Sequence, residues 1–400
     1  MTRTRFNLRT VLAVAVTAVL VVAAGTLWPA SAQTISTNAK EAILIDAGTN
    51  TVLFEKNADE LMPPASMSKL MTLAVVFDAL KKGEISLDDT FFVSENAWRK
   101  GGASSGGSTM FAKLDSEIRV EDLLRGVIIQ SGNDACIAIA ENMAGTEEAF
   151  AARMTKFARE IGLEQSVFKN ATGLPAEGHV MTARELAKLA LYIINTYPDY
   201  YRFFGESEFT WNNITQKNRN PLLTMNIGAD GLKTGYIEDA GYGLVGSAVQ
   251  DGQRLVVVIN GLDKRKDRGP EARKILTWGF RSFESVALFD ASETVGHATV
   301  FGGLNRRVPL DGGGKPVTIL RPRGSEGRLR ARIVYTGPLV APVMAGDQVA
   351  RLAVSDGDAV IMEAPLYAAE DDPRGPLYRR AYDALFELAA SLWYGDKSSE

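Results

Sequence analysis

The sequence has very little of the chemistry that metal sites and disulfides use. It contains one cysteine, Cys136, and two histidines, His179 and His297, in 400 residues. A single cysteine cannot form an intrachain disulfide, so stability must come from packing. No cluster of cysteines and histidines has metal-ligand spacing, and we therefore expect no metal and no other cofactor.

The scarcity of histidine also argues against a histidine-dependent hydrolase. His297 lies in a β-prone stretch, and His179 comes just before a helix-capping sequence, where a surface loop residue is the default. A catalytic histidine is therefore not expected. A reaction that needs a base must take it from another side chain.

The sequence also lacks an excess of positively charged residues. The 44 lysines and arginines are outnumbered by 48 acidic residues, and loss of residues 1–32 would lower the formal net charge from −4 to −7, because three arginines leave with them. An acidic body argues against a nucleic-acid partner.

The N-terminus has the three parts of a secretory signal. Three arginines precede an uncharged apolar run, residues 11–27, which is followed by small residues at Ala30 and Ala32. This pattern predicts a signal peptide, residues 1–32, cleaved after Ala32. An uncleaved anchor helix is the alternative, since the run is barely long enough to span a bilayer, but the two alanines would serve no purpose there.

The residues after the signal are patterned as a sheet with helices. Apolar runs at 42–45 and 52–54 predict one β-hairpin, and an Asp-Gly turn joins a second hairpin, 241–249 with 254–259. Helical periodicity and capping signals predict helices at 67–80, 120–130, 134–143, 150–161, 182–194 and 271–283. We therefore expect an α/β (α+β) domain over residues 33–284.

Two further segments follow this domain. Short β-prone runs between Gly/Pro-rich turns predict a small all-β domain, residues 285–370. Residues 371–400 are expected to form a Pro/acid-rich linker and an amphipathic helix, which we interpret as an in-plane membrane anchor. Docking of the helix on its own domain is the alternative. Its apolar face is formed by Tyr378, Ala381, Tyr382, Leu385, Leu388, Leu392 and Trp393.

A serine and a lysine three residues apart supply a base that is not histidine. Ser66 and Lys69 stand at the predicted start of a helix, after Pro63 and Pro64, and share one face of its first turn. The positive end of the helix stabilises an oxyanion at Ser66 and disfavours protonation of Lys69. Burial beside a second cation would lower the pKa of Lys69 further, which makes it the candidate base. Alone, the S-x-x-K pattern is weak, because short matches arise by chance.

A second motif lies between two predicted helices. Ser131 and Asn133 flank Gly132, and a break there turns both side chains away from the helix ends. Ser131 could relay a proton to a leaving amine, and Asn133 could hydrogen-bond a substrate amide. The plain alternative is a C-cap glycine followed by an N-cap asparagine.

The third motif is Lys233-Thr234-Gly235, near the end of a predicted strand. Glycine there would let a substrate backbone lie along the strand edge, and Lys233 offers a charge for a carboxylate or for tuning Ser131. The order S-x-x-K, then Ser-x-Asn, then K-T-G matches class A β-lactamases and penicillin-binding proteins. Three chance matches in that order are improbable.

With these motifs and their flanks at 64–72, 126–136, 230–235 and 276–280, the chain resembles the low-molecular-mass penicillin-binding proteins of the serine D-alanyl-D-alanine carboxypeptidase family. The resemblance covers nearly the whole mature chain. It implies a serine β-lactamase-like domain, an antiparallel sheet with helices on both sides, followed by an all-β domain and a membrane-anchor helix. It also implies removal of the terminal D-Ala from peptidoglycan stem pentapeptides, binding of β-lactam antibiotics, and a place at the periplasmic face of the inner membrane.

The same resemblance implies the catalytic roles. Ser66 would be acylated by the penultimate D-Ala carbonyl while the terminal D-Ala leaves. Lys69 would be the base, Ser131 and Lys233 the proton relay, and Asn133 a ligand for the peptide.

Further substrate contacts are implied around the third motif. The binding set includes Thr234, Gly235 and Tyr236, and the backbone N–H groups of Ser66 and Tyr236 would form the oxyanion hole. Arg268 stands at the distance from residues 276–280 at which relatives carry an arginine for the substrate carboxylate.

Two features depart from the family pattern. Tyr236 stands where relatives often have histidine or threonine, which puts substrate preference and acylation rate in question. The loop 101–108 is unusually rich in glycine, and we expect it to border the active site and to affect deacylation.

Two rival functions are weaker. A β-lactamase would need a deacylating Glu-x-x-x-Asn, and the spacing of Glu164 and Asn170 is wrong for it. A non-catalytic cell-wall-binding protein on the same scaffold would be expected to have lost catalytic residues, and all of them are present.

Overall fold

The computed structural model describes residues 35–323, 329–356 and 359–394. The predicted signal peptide, residues 1–32, lies outside the described residues, so its cleavage stays a prediction.

Between residues 35 and 282, the structure contains nine strands and seven α-helices. The strands are β1 (Glu41–Asp46), β2 (Val52–Lys56), β3 (Thr90–Phe92), β4 (Glu117–Arg119), β5 (Glu208–Trp211), β6 (Ile214–Lys217), β7 (Ala229–Ile237), β8 (Gly241–Gln250) and β9 (Gln253–Leu262). The helices are α1 (Lys69–Lys82), α2 (Val120–Ile129), α3 (Asn133–Ala144), α4 (Glu147–Glu160), α5 (Ala183–Thr196), α6 (Pro198–Tyr201) and α7 (Arg268–Ser282).

The central sheet has the order β2-β1-β9-β8-β7 and is antiparallel throughout. Both predicted hairpins are confirmed, as are the predicted helices. Successive residues of a strand point to opposite faces of the sheet. Ile43, Val256 and Val258 therefore join the main core with α5, while Leu44 and Leu255 face Gly279 of α7 on the other side. Helices cover both faces, as predicted.

Local sequence explains where α5 begins. The Thr182 hydroxyl accepts a hydrogen bond from the backbone N–H of Glu185 over 3.0 Å and caps the helix. The capping box is only half formed, because the Glu185 carboxylate accepts from Gln165 N and Ser166 Oγ instead. Glu185 thus links the start of α5 to Gln165 and Ser166, which precede the loop 170–179.

The predicted all-β domain is confirmed by eight strands over a core of its own. A six-stranded sheet has the order β14-β16-β17-β12-β11-β15, and β10 pairs with β13. The strands are β10 (Phe283–Phe289), β11 (Gly296–Phe301), β12 (Arg307–Asp311), β13 (Val317–Pro322), β14 (Leu329–Val334), β15 (Leu339–Val340), β16 (Gln348–Asp356) and β17 (Ala359–Ala368).

The segment predicted as a linker is held more firmly than its composition suggests. Asp372 is 1% exposed, and its carboxylate accepts a hydrogen bond from Asn305 N over 2.8 Å. Asp372 and Arg374 also form isolated bridges with Val343 and Gly303. Local acidic composition does not reveal these partners, which lie about thirty to seventy residues away in the sequence.

The last described element is helix α8 (Leu377–Tyr394). Its first turns are attached to the all-β domain, because the Asp383 carboxylate accepts from Gly302 N over 3.0 Å and the Arg306 guanidinium lies 5.5 Å from the Tyr382 ring centre. Tyr378, Tyr382 and Leu385 of the predicted apolar face are nevertheless exposed. Leu388, Leu392 and Trp393 of the same face belong to α8, but their side chains are not among those that the structure describes. In the described part of the chain, no helix is long and apolar enough to cross a membrane.

Candidate active site

Ser66 lies in a tight turn at the edge of the sheet. Residues Ala65–Ser68 form a 3-10 turn, and the α-helix proper begins at Lys69, so the predicted α-helical start at Ser66 is one turn too early. Ala65 has a φ of +49°, a left-handed conformation that costs energy in a residue with a Cβ. The Ser66 side chain is half-buried, with its neighbours Ala65 and Met67 buried.

The Lys69 amine meets three oxygen atoms. Its Nζ lies 2.9 Å from Ser66 Oγ, 2.8 Å from Asn133 Oδ1 and 2.5 Å from the Thr172 carbonyl oxygen. The amide and carbonyl oxygens can only accept hydrogen bonds. In the neutral amine they take both N–H groups, which leaves the nitrogen lone pair for the Ser66 hydroxyl proton.

Burial favours the neutral form of the Lys69 amine. Lys69 is completely buried, and this loss of hydration lowers the pKa of its amine to about 8. Lys233 is also buried, and burial together with the nearby Lys69 charge holds the pKa of Lys233 well below its usual value. The charge of Lys69 therefore disfavours protonation of Lys233.

The second motif is a turn between α2 and α3. Ser131 has a φ of +62°, and its buried Oγ has no hydrogen-bond partner among the described residues. Gly132, and not Asn133, is the N-cap of α3, so the plain alternative of an asparagine cap is not the arrangement found. Asn133 Oδ1 accepts a hydrogen bond from Lys69 Nζ instead.

A buried carboxylate holds the glycine-rich loop against this turn. Asp134 accepts hydrogen bonds from Thr109 Oγ1 and from the backbone N–H groups of Met110 and Ala112. The Asn133 N–H in turn donates to the Ser108 carbonyl over 2.7 Å. The prediction that the loop 101–108 borders the site is confirmed at Ser108, and its effect on deacylation stays a prediction.

The third motif lies on β7, at the edge of the central sheet. Lys233 Nζ donates to the Thr234 carbonyl over 3.2 Å, and no hydrogen bond joins it to Ser131. A Cβ on Gly235 would lie 3.0–3.2 Å from Met67 and Pro64. Glycine thus allows the close approach of the turn that carries Ser66, a reason that differs from the predicted one, passage of the substrate backbone.

These elements surround one cleft of about 320 Å³. Six predicted site residues line it, namely Ser66, Ser131, Thr234, Gly235, Tyr236 and Arg268. The other three, Lys69, Asn133 and Lys233, are buried behind its surface. No lining residue is a carboxylate, and Glu164 is exposed and outside the cleft.

One end of the cleft is strongly cationic. Arg219, Arg265 and Arg268 all line it, and within the described part of the chain none of them forms an ion pair. Burial, followed by the charge of Arg265, lowers the pKa of Arg268 to about 10. An anionic group of a ligand would find unpaired charge here.

Sequence reasoning missed three contributors. The Thr172 carbonyl has no sequence signal, because every residue carries one. Arg219 hydrogen-bonds Ser108 Oγ over 2.5 Å and belongs to no motif. Tyr242 lines the cleft beside Tyr236, and its position two residues into the strand after K-T-G could have suggested it through cross-strand pairing.

A second groove of about 390 Å³ adjoins the turn that carries Ser66. Its walls include Ala65, Leu174 and Ile237. His179 also lines it and is 4% exposed, so the expectation of a surface histidine is wrong. Burial lowers the pKa of His179 to about 4, which keeps it neutral, and its Nδ1 accepts a hydrogen bond from Lys169 N.

Across the described ranges no group of three metal-ligating side chains occurs.

Comparison with known proteins agrees with this geometry. Residues 29–263 match the family model described as D-alanyl-D-alanine carboxypeptidase, and residues 283–374 match the C-terminal domain of penicillin-binding protein 5. The chain belongs to the D-alanyl-D-alanine carboxypeptidase family. Its predicted family and its predicted two-domain fold are thereby confirmed.

Individual relatives cover nearly the whole chain. D-alanyl-D-alanine carboxypeptidase DacC of Escherichia coli is 40% identical over 363 residues, 90% of each protein. Penicillin-binding protein 5 of Haemophilus influenzae matches in structure with a TM-score of 0.78 and 33% identity, over 86% of this chain and 99% of that one. An ampicillin-bound penicillin-binding protein of Listeria monocytogenes matches with a TM-score of 0.54 and 27% identity, over 62% of this chain and 99% of that one. This member of the family is a serine-type D-alanyl-D-alanine carboxypeptidase involved in peptidoglycan remodelling.

Proposed function

We propose that Ser66 is the nucleophile and Lys69 the general base of this carboxypeptidase. The observation that carries the proposal is the 2.9 Å contact between Lys69 Nζ and Ser66 Oγ, with the other two directions of the amine occupied by oxygen acceptors. The Ser66 proton moves to Lys69 Nζ while Ser66 Oγ attacks the carbonyl carbon of the penultimate D-Ala. The backbone N–H groups of Ser66 and Tyr236 stabilise the oxyanion.

Collapse of the tetrahedral intermediate breaks the peptide bond. The nitrogen of the terminal D-Ala takes a proton from the Lys69 ammonium, and the acyl group remains as an ester on Ser66 Oγ. Ser131 and Lys233 relay this proton, a role supported by the Ser131 hydroxyl, which lines the cleft without a partner in the described chain, and by the burial of Lys233, which favours its neutral form. Water then hydrolyses the ester with Lys69 again as base.

Substrate recognition divides between the two sides of Ser66. The terminal carboxylate binds Arg268 and Thr234 at the cationic end, where the arginines lack protein carboxylates. The peptide before the scissile bond extends into the second groove, whose wall includes Ile237, the residue after Tyr236 on β7. The Asn133 Nδ2 is the donor left to the substrate, since Lys69 occupies its oxygen. Stem peptides ending in D-Ala-D-Ala and β-lactams are the ligands that these contacts fit.

We also propose that the protein is exported and works at the periplasmic face of the inner membrane. The signal at 1–32, the domains at 33–284 and 285–370, and the segment 371–400 are the corresponding parts of the chain. Exposed Tyr378, Tyr382 and Leu385 on α8 support a helix that lies in the membrane surface.

A labelling experiment tests the catalytic assignment. The mature wild type and Ser66→Ala are incubated with a fluorescent penicillin and, separately, with a pentapeptide ending in D-Ala-D-Ala. We expect Ser66→Ala to lose both covalent labelling and D-Ala release. Residual labelling at another residue would move the nucleophile, and a wild type that is not labelled would favour the non-catalytic wall-binding protein.

A further inference from the structure

Arg268 is a buried cation with unusually few partners. Its side chain is 6% exposed, and its one hydrogen bond in the described chain runs from Nη1 to the Gly235 carbonyl over 3.3 Å. The Nε atom is buried without a partner, although a guanidinium carries five N–H donors. Few hydrogen bonds from the described chain therefore offset the loss of hydration of this charge.

The ring of Tyr242 offsets part of this loss of hydration. The guanidinium carbon of Arg268 lies 5.3 Å from the Tyr242 ring centre, within cation-π range. Tyr242 is the direct cross-strand partner of Tyr236, and the two rings stack with centres 4.1 Å apart and planes 21° from parallel. Tyr236 thereby restricts the ring on which Arg268 rests.

An aromatic partner and a carboxylate partner have different consequences for ligand binding. A carboxylate would bind the N–H edge of the guanidinium and compete with the carboxylate of a ligand. An aromatic face interacts without accepting hydrogen bonds from that edge, so the N–H donors stay available. Arg268 is therefore buried and still has N–H donors available for the carboxylate of a ligand.

We propose that Tyr242, braced by Tyr236, is a positioning residue that holds Arg268 for the free C-terminal carboxylate of the substrate. The inference rests on the carboxylate-binding role given to Arg268 above. It also gives a physical function to the tyrosine at 236, because a ring of this size is what stacks on Tyr242. The pair thus contributes to the selectivity of the enzyme for free-acid over amidated peptide ends.

Two substrates and two substitutions test this proposal. The substrates are one pentapeptide ending in D-Ala-D-Ala and the same peptide with an amidated C-terminus, with release of D-alanine or D-alaninamide as the readout. Tyr242→Leu removes the aromatic face, and Tyr242→Phe keeps it as the matched control. We expect Tyr242→Leu to lower kcat/KM for the free acid by roughly threefold to thirtyfold, the range of a partly desolvated cation-π contact. The kcat/KM for the amidated peptide should change by less than about twofold. Tyr242→Phe should retain the wild-type selectivity.

A double-substitution cycle separates positioning from general damage. In an Arg268→Ala background, Tyr242→Leu should have no further effect on the free acid, because the group that it positions is gone. Equal losses on both substrates, or full additivity with Arg268→Ala, would overturn the proposal. If Tyr242→Leu does not fold, Tyr242→Met fills similar space without the aromatic face and carries the same expectation.

The outcomes distinguish this inference from the role of Arg268 itself. If Arg268→Ala affects both substrates equally, the carboxylate-binding role is wrong and the Tyr242 inference falls with it. If Arg268→Ala is selective for the free acid and Tyr242→Leu is not, Arg268 keeps its role and only the inference about Tyr242 is overturned.

Discussion

Asn133 Oδ1 accepts a hydrogen bond from Lys69 Nζ over 2.8 Å, and this contact fixes one direction of the Lys69 amine. With the Thr172 carbonyl on a second side, the amine has one direction left, toward Ser66 Oγ. Asn133 therefore orients Lys69, the proposed base, through its oxygen, in addition to its proposed substrate contact through Nδ2.

The first prediction is the pH dependence of acylation. Lys69 must be neutral to accept the Ser66 proton, and burial lowers its pKa to about 8. The neutral fraction falls about tenfold for each pH unit below the pKa, so the acylation rate should fall about tenfold per unit, or about a hundredfold in all, between about pH 7 and 5, and level off above about pH 8. Stopped-flow acylation by a β-lactam whose own charge is constant over this range measures it. A flat profile from pH 5 to 8 would contradict the assignment of Lys69.

The second prediction concerns Asn133→Asp. A carboxylate of nearly the same shape next to Lys69 stabilises the ammonium form and raises the lysine pKa. We expect acylation at pH 7 to fall at least tenfold and the profile to move to higher pH. Asn133→Ala is the control, because it removes the contact without adding charge and should lower the rate with no alkaline shift. Identical pH profiles in the two variants would refute the electrostatic account.

The third prediction tests the packing of the loop that carries the Thr172 carbonyl. Gly173 has a φ of +76°, and a Cβ there would lie 2.0 Å from the Ala65 carbonyl oxygen, beside the nucleophile. Gly173→Ala should destabilise the protein by about 1–3 kcal/mol and reduce acylation strongly. Gly178→Ala is the matched control in the same loop, since its φ is +74° and its nearest neighbour is the Lys169 side chain at 3.3 Å. Thermal unfolding and penicillin labelling should be affected far more at Gly173; equal effects would mean that backbone strain alone matters.

The fourth prediction concerns Arg268→Ala. A guanidinium distinguishes a terminal carboxylate from an internal amide by bidentate hydrogen bonds. Loss of Arg268 should lower kcat/KM for D-Ala-D-Ala peptides by roughly tenfold to a hundredfold or more, about 1.5–3 kcal/mol for charged hydrogen bonds, and should impair amidated substrates much less. Arg265→Ala is the control, because Arg265 lines the same cleft but is exposed. If Arg265→Ala gives the larger selective loss, Arg265 is the carboxylate ligand.

The fifth prediction concerns the C-terminal helix. Truncation after Arg374 should release the mature protein from membranes without loss of activity on soluble peptide, because α8 lies outside the residues that form the cleft. Tyr382→Asp together with Leu385→Asp should weaken binding to anionic vesicles in the full-length mature chain. Cosedimentation measures both. A full-length mature protein that stays in the supernatant would favour a helix that is docked only on its own domain.

Several features of this protein follow from the sequence because they depend on short-range geometry. Ser66 and Lys69 are three residues apart, so any helical turn brings them to one face, and the lysine reaches the serine in the structure as predicted. The hairpin at the Asp251-Gly252 turn and the cap at Thr182 are local in the same way. The order of the three motifs identified the family, and the comparisons confirm it.

The tertiary structure alone decided the remaining contacts, because they join distant parts of the chain or use atoms without a sequence signature. Asn133 and Thr172 lie 64 and 103 residues from Lys69, and one of the two contacts is made by a backbone carbonyl. Arg268 is separated by 33 residues from Gly235, and its support by Tyr242 depends on how β8 and α7 pack. The sequence therefore determined which groups are candidates for the chemistry, whereas folding determined which oxygen atoms and which aromatic ring lie against them.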